Sequence, residues 1–412
     1  MKVEVLAVGT ELLSPTFQDT NSLYLARRLE EIGLRLSFKT VVGDDAKDLA
    51  RAARTALGRS GLVIAMGGLG PTEDDRTGEV FARVLGRRRV FNGEILKGIE
   101  ARFHRRGLKM PATNRKQAYV IQGAEVLDNP QGTAPGQWLA AGRKLVALLP
   151  GPPRELGPMF EASVLPRLKE KTSGFLIRRV LRLTGLGESL MESMIGDIYR
   201  RLPDGVELTT LASPGDLAIH ITATDRAGRA VAEGRAVDIE AALRRKLGPY
   251  IYSRHGETLE EVVAGLLTAN RQTVACAESC SGGLLAHRLT NVPGSSAYFL
   301  AGTIAYSNAA KTDLLGVPAR LILKHGAVSA PVARAMAVGA RRRVNATYGL
   351  GVTGIAGPTG GTATKPVGLV YISLAGRGGV EVQRRLFFGS RNEVKFQSSQ
   401  RALDMLRRRL ET

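Results

Sequence analysis

Three side chains of the kind that hydrolyse an amide lie close together in this sequence: Ser279, Tyr306 and Lys311. Gln272 to Ala277 can form a strand, and Gly282 to Asn291 carries apolar residues at helical spacing. Ser279 falls at the junction, where N–H groups and the positive end of a helix are expected to face its hydroxyl. A serine at such a turn is ordinarily an N-cap. The second break changes the balance. Tyr306 ends another strand-like run, and Lys311 follows in the first turn of the next helix. A lysine of lowered pKa can deprotonate a serine, and a tyrosine can relay the proton. Together they form a Ser–Tyr–Lys hydrolase constellation, provided that the fold brings them together.

A third break is the loop Thr353-Gly354-Ile355-Ala356-Gly357-Pro358-Thr359-Gly360-Gly361. Its backbone N–H groups suit an anion or phosphate. Just before it, Gly349 to Gly354 matches G-x-G-x-x-G. That match lies inside the apolar run, and Pro358 follows where a helix should open, so it is discounted as a dinucleotide fingerprint.

These segments stand as Ala277–Gly283 (AESCSGG), Tyr306–Lys311 (YSNAAK) and Thr353–Gly368 (TGIAGPTGG…KPVG). They closely resemble the C-terminal domain of the CinA family, the nicotinamide mononucleotide deamidases. The resemblance implies Ser279 as nucleophile, Tyr306 and Lys311 as its activating partners, and no cofactor at this site. It also implies substrate contacts from Gly282, Gly283, Thr353, Gly354, Ala356 and Gly357. Cys280 is a rival nucleophile by position, and the family pattern favours the serine. Family members often carry an arginine where this chain has Lys395, and lysine loses the bidentate geometry toward a phosphate.

The 412 residues suffice for two or three domains. With 44% hydrophobic and 23% charged residues the composition is that of a globular protein, which excludes a disordered chain. No apolar run reaches membrane-spanning length and no signal-peptide pattern opens the chain, so a cytoplasmic protein without a membrane partner is expected. Cys276 and Cys280 are too few for a disulfide framework, and the five histidines lack zinc-ligand spacing. The net charge of +20 raises the question of nucleic acid. The basic residues are spread through amphipathic helices, and only Arg341–Arg343 and Arg407–Arg409 are dense, with no interleaved aromatics. An arginine-rich solvated surface that also favours anionic nucleotides is the preferred reading; a DNA-associated scaffold is the alternative.

Residues 1–171 read as a doubly wound domain: strand Val3–Val8, helix Asn21–Ile32, strand Arg35–Val42, helix Ala46–Leu57 and strand Leu62–Met66. The alternation predicts a parallel sheet with ligand-binding loops at its strand ends. The strongest loop is Gly67-Gly68-Leu69-Gly70-Pro71-Thr72-Glu73-Asp74-Asp75-Arg76-Thr77. Its glycines let a phosphate approach, and Asp74 and Asp75 can offer oxygen ligands to a divalent metal or simply suit a helix N-terminus. The loop is similar to the GGLGPT-x-DD-x-T motif of the molybdopterin-binding-like N-terminal domain of CinA proteins. Asp19-Thr20-Asn21, Asn114–Ala118, Gly132–Gly136 and Leu149–Glu155 add matches, while Ser14-Pro15 departs from the pattern. The resemblance implies hydrolysis of ADP-ribose with a divalent metal such as magnesium at Asp74 or Asp75. Gly67, Gly68, Gly70 and Thr72 would then cradle the pyrophosphate, and Lys116 would neutralise its charge.

Residues 172–252 read as a small α+β unit that resembles the KH-like middle domain of the same family. No GXXG nucleic-acid clamp is present, so a structural or dimerising spacer is expected. Residues 253–412 form the C-terminal α/β deamidase domain. The whole reading is a bifunctional, homodimeric nucleotide-processing enzyme that acts on nicotinamide mononucleotide and ADP-ribose.

Overall fold

The computed structural model of the chain describes residues 1–171, 175–225 and 228–412. The domain boundary expected at Thr172 lies outside them. Two compact units emerge: residues 1–177 with 224–232, and residues 178–223 with 233–412.

In the first unit β1 (Val3–Val8), β2 (Leu36–Val42) and β3 (Leu62–Met66) alternate with helices Thr20–Glu30 and Ala46–Arg59. β4 (Arg89–Phe91) and β5 (Tyr119–Ile121) form a separate antiparallel pair. β6 (Glu125–Leu127), β7 (Gly136–Ala141) and β8 (Lys144–Leu149) complete a six-stranded sheet in the order β2-β1-β3-β8-β7-β6. β1 pairs parallel with β2 and β3, and β3 with β8. β7 runs antiparallel to both β8 and β6. The sheet is therefore mixed, not parallel throughout as its first half suggests. Ala141 and Lys144 pair across a two-residue turn, a connection that only antiparallel neighbours can use.

Side-chain alternation on the central strands builds two cores, one on each face. Val3, Val5, Ala7, Leu62, Ile64 and Met66 join Leu25 and Leu29 of the Thr20–Glu30 helix. Leu6, Val8, Val63 and Ala65 join Leu49, Ala53 and Ala56 of the Ala46–Arg59 helix. Each fully buried leucine contributes about 1.5–3 kcal/mol. Asp19 and Asp45 start these two helices, their carboxylates accepting first-turn amides.

A four-stranded sheet, β10-β11-β9-β12, lies mostly in the second unit and is built from β9 (Phe175–Leu183), β10 (Val206–Ser213), β11 (Asp216–Asp225) and β12 (Ile251–Ser253). Its helices are Glu188–Tyr199 and Arg229–Leu247. Ala232, Ala236, Ile239, Leu243 and Leu247 are the buried face of the second. A five-stranded sheet follows: β13 (Val274–Glu278), β14 (Phe299–Ile304), β15 (Tyr348–Gly354), β16 (Leu369–Gly376) and β17 (Gly379–Leu386), ordered β14-β13-β15-β16-β17. The first three strands are parallel, and the last two add antiparallel.

Helix Ala330–Arg343 covers one face of this sheet. A Cβ on Gly351 would sit 2.6 Å from Ser373 Oγ and 2.7 Å from the Ala333 carbonyl. The Gly349-to-Gly354 run is thus a helix–sheet packing surface, in agreement with its rejection as a dinucleotide fingerprint. The opposite face is covered by helices Leu259–Ala269 and Arg391–Leu410, each begun by a capping box, Thr258/Glu261 and Ser390/Glu393. Parallel β13, β14 and β15 all end at one edge, and the reactive segments follow from there.

Candidate active site

β13 is buried at every residue, and the ladder continues past its end: the Ser279 amide donates to the Val352 carbonyl at 2.9 Å. Ser279 is thereby fixed at the sheet edge, 8% exposed. From β14 the chain passes to Ser307, whose hydroxyl accepts the Ala310 amide and starts helix Asn308–Leu315. Helical Cα–Cβ bonds tilt toward the N-terminus, so Lys311 reaches back to the sheet. Its Nζ lies 3.1 Å from Ser279 Oγ, 2.9 Å from the Ala305 carbonyl and 3.1 Å from the Tyr306 carbonyl. Lys311 is 1% exposed, and burial lowers its pKa, with no carboxylate in contact to oppose that effect. The serine and lysine therefore meet as the spacing suggested.

Tyr306 does not join them as expected. Only its carbonyl touches Lys311. Its side chain is 61% exposed, and its hydroxyl accepts from Arg391 Nη2 at 3.1 Å. The residue lies just past the end of β14, in the turn into the next helix, where its ring points outward. The pair is Ser–Lys, with Tyr306 and Arg391 beside it.

The expected helix N-terminus is also not open to the Ser279 hydroxyl. Helix Leu284–Thr290 begins after the glycine turn, and its amides are taken by Glu278. The fully buried Glu278 carboxylate accepts from the amides of Gly283 at 3.0 Å, Leu285 at 3.1 Å and Ala286 at 2.8 Å. Sequence reasoning missed this residue; the signal was an acid closing an otherwise apolar buried strand. Gly282 N donates to the Ser279 carbonyl, and the amides of Cys280 and Ser281, which also face the Cys280 sulfur, are the donors that follow the serine. Glu278→Gln should destabilise the protein by about 2–4 kcal/mol in chemical denaturation, because an amide NH₂ would confront buried N–H donors. A change below about 0.5 kcal/mol would show that the carboxylate does not hold this turn.

The remaining predicted contacts divide. Gly282 lies close to Lys395, a Cβ there falling 3.5 Å from the Nζ, so helix Arg391–Leu410 brings two cations, Arg391 and Lys395, to the site. The Gly357 carbonyl accepts from Arg391 Nη1 at 2.7 Å. Thr353 is buried with its hydroxyl donating to the Ala327 carbonyl, so that side chain is not free for a ligand. Gly283, Gly354 and Ala356 are packed positions: added side chains at the two glycines would meet Ile304 and the Leu369 carbonyl, and Ala356 is buried. Both cysteines are buried. Burial pushes the Cys280 thiol up to about 12, which removes it as a thiolate at neutral pH.

In the first unit the Gly67–Thr77 loop separates two cavities. One, of about 550 Å³, includes Glu11, Asp19, Asp44, Asp74 and Asp75 in its lining. The other, of about 320 Å³, is of mixed charge, with Arg76, Arg89 and Lys116 beside Glu73 and Glu79, and the two share Gly68, Gly70 and Asp75. Gly67 has φ +96°, and a Cβ there would fall 2.2 Å from the Val8 carbonyl. Its bare Cα serves contact with the sheet, not the approach of a phosphate. Similarly, a Cβ on Gly68 would meet Thr77 Oγ1, and one on Gly70 would meet Asp75. The Thr72 amide donates to Asp75 Oδ2 at 2.9 Å, and its hydroxyl donates to the same oxygen. The exposed Asp74 carboxyl lies below the usual range, through the Thr72 hydroxyl, its own amide and the Lys116 charge. Lys116 Nζ donates to the Thr72 carbonyl, so this ammonium braces the loop. Among the described residues no three carboxylate, histidine or cysteine side chains converge as a metal cluster, and no helix is long and apolar enough to cross a membrane.

Fold and site thus define a three-domain α/β protein with a buried Ser–Lys pair at the edge of its last sheet. Three family descriptions match it in order: "Probable molybdopterin binding domain" over residues 4–170, "Damage-inducible protein CinA KH domain" over 178–253 and "CinA C-terminal domain" over 256–410. A CinA-like protein from Koribacter versatilis is 45% identical over 416 residues, spanning 100% of both chains. Another from Solibacter usitatus is 45% identical across 100% of this chain and 98% of its own. The crystal structure of competence/damage inducible protein CihA from Agrobacterium tumefaciens is 40% identical, covering 37% of this chain and 94% of that one, with a TM-score of 0.36. The chain belongs to the CinA family.

Proposed function

We propose that the second unit hydrolyses the carboxamide of nicotinamide mononucleotide, giving the nicotinic acid form and ammonia. The observation that supports this most is the 3.1 Å contact between Ser279 Oγ and the Nζ of a buried lysine without a carboxylate partner. Burial favours the neutral amine, which takes the serine proton as Oγ attacks the amide carbon. The amides of Cys280 and Ser281 are the candidate donors to the oxyanion. Lys311 returns the proton to the departing nitrogen, ammonia leaves, and water hydrolyses the acyl-serine. Arg391 and Lys395 suit the substrate phosphate. The test is direct: the purified protein with nicotinamide mononucleotide should release ammonia and the acid mononucleotide in equal amounts. Absence of both products from folded protein overturns the reading.

For the first unit we infer hydrolysis of ADP-ribose at the Gly67–Thr77 loop. The acidic cavity on one side of this loop suits a metal-bound pyrophosphate, and the mixed-charge cavity on the other side adds Arg76, Arg89 and Lys116 as cations within reach of the same loop. Asp74 and Asp75 at the cavity wall are the residues that would hold magnesium, through one or two carboxylates with phosphate oxygens and water completing the shell. Such an ion, when bound, polarises the phosphoryl group. Thr72 and Lys116 keep the loop in shape around the two acids. In the full-length protein Asp75→Asn should cut ADP-ribose hydrolysis at least about tenfold and leave ammonia release unchanged. Loss of both activities without unfolding would defeat the two-site reading.

A further inference from the structure

A cavity of about 480 Å³ opens between the β9–β12 sheet domain and the C-terminal domain, and no residue assigned above to catalysis or substrate binding lines it. One wall is the turn after β9, Thr184-Gly185-Leu186-Gly187, with Gly215 of the β10–β11 hairpin. Thr184 Oγ1 donates to the Gly215 carbonyl at 2.8 Å and joins the two turns. The facing wall is Arg385 of β17 and Arg401 and Arg408 of helix Arg391–Leu410. Gln400 Nε2 reaches Asp216 Oδ1 at 3.4 Å, so the walls are tied across the boundary.

The charge of this cavity is one-sided. Three guanidinium groups line it, and no carboxylate does. Fully buried Asp404 lies beneath and is shared among Arg401, Arg407 and Arg408. Arg385 donates to Gln383, a neutral amide. Burial lowers the pKa of Arg401; Asp404 pulls it back up, Arg385 and Arg408 lower it, and Glu381 raises it by less. Like charges held together at a cavity wall are relieved by an anion. From the opposite side, helix Glu188–Tyr199 begins at Gly187 with no side-chain cap, so its first amides face this end uncapped. Gly185, at φ +79°, brings bare backbone close to the arginines: a Cβ would lie 3.4 Å from Arg401 Nη1. Tyr250 and Phe387 add aromatic surface to the lining.

We propose that this interdomain cavity is a binding site for a small phosphorylated ligand of the nucleoside diphosphate class. Its phosphates would rest between the three arginines and the Gly185–Gly187 turn, and Tyr250 and Phe387 would offer a surface for the base. The site is separate from the two reactions proposed above and stands or falls without them.

Hydrogen exchange on the full-length protein tests this, with inorganic pyrophosphate, ADP and a single-stranded oligoribonucleotide as probes. Pyrophosphate or ADP should slow exchange at residues 184–190 and 213–217. Arg385 is exposed, so Arg385→Glu should fold normally, and it should weaken that protection at least about tenfold in ligand concentration, with Arg385→Lys in between. No protection of these segments at saturating pyrophosphate and ADP overturns the proposal. So does protection by the oligoribonucleotide alone, or protection that survives Arg385→Glu undiminished.

Discussion

Ser279→Ala should abolish ammonia release from nicotinamide mononucleotide, by at least about a thousandfold, while Cys280→Ala keeps most of it. The two residues are neighbours at the end of β13, so position alone does not separate them. Their environments do. Ser279 Oγ is in contact with Lys311 Nζ, the group proposed to take its proton. The Cys280 thiol is buried and raised to about 12, so at neutral pH it is protonated and weakly nucleophilic. Neither change removes much volume, and thermal melting of both variants checks that the sheet edge is intact. An active Ser279→Ala variant paired with an inactive Cys280→Ala variant would transfer the chemistry to the thiol.

Lys311→Met should lower kcat by about 10²- to 10⁴-fold, the range for removal of a positioned general base. Methionine is close in length and apolar, so it fills the buried channel between Ala305 and Ser279 without adding charge. The pH profile carries the sharper information. The active form is the neutral amine, and burial lowers the Lys311 pKa from its ordinary 10.5. Activity should therefore rise with pH through that lowered value and then level off. Between the lowered value and 10.5 the unfolded chain binds more protons at this position than the folded one, so the lysine's contribution to stability also rises with pH across that window. Lys311→Met should lose both the acidic limb of the activity profile and this slope of stability. A residual activity in the variant that keeps the same acidic limb would mean that another group is the base.

Much of this site was legible because strand-to-helix breaks announce themselves. A buried apolar run that stops at Ser279, and a lysine in the first turn after Ser307, specify a sheet edge and a side chain tilted back toward it. Side-chain direction at the irregular positions was not legible. Tyr306 has the right spacing and the wrong orientation, since its ring leaves the strand on the exposed side and meets Arg391. Glu278 looked like one letter of a motif, and its role depends on three amides that converge only once the glycine turn has formed. Glycines misled in a similar way. Gly67 and Gly70 suggested room for a phosphate, yet their missing side chains make room for the Val8 carbonyl and for Asp75. In the first sheet the helix-linked half was readable from alternation. The antiparallel half hung on the short turn between Ala141 and Lys144, which says nothing about where its hairpin will dock.

The burial of Cys276 and Cys280 beside Ser279 has a consequence for survival under oxidant. Peroxide attacks thiolates, and burial, with the neighbouring Glu278 carboxylate, raises the pKa of both thiols here. A hydrolase with an activated cysteine in this place would be switched off by sulfenic acid formation. An alcohol nucleophile has no such oxidation ladder, and its two sulfur neighbours are shielded from starting one. On the mechanism proposed above, the reaction at the edge of this sheet would not depend on the oxidation state of a cysteine.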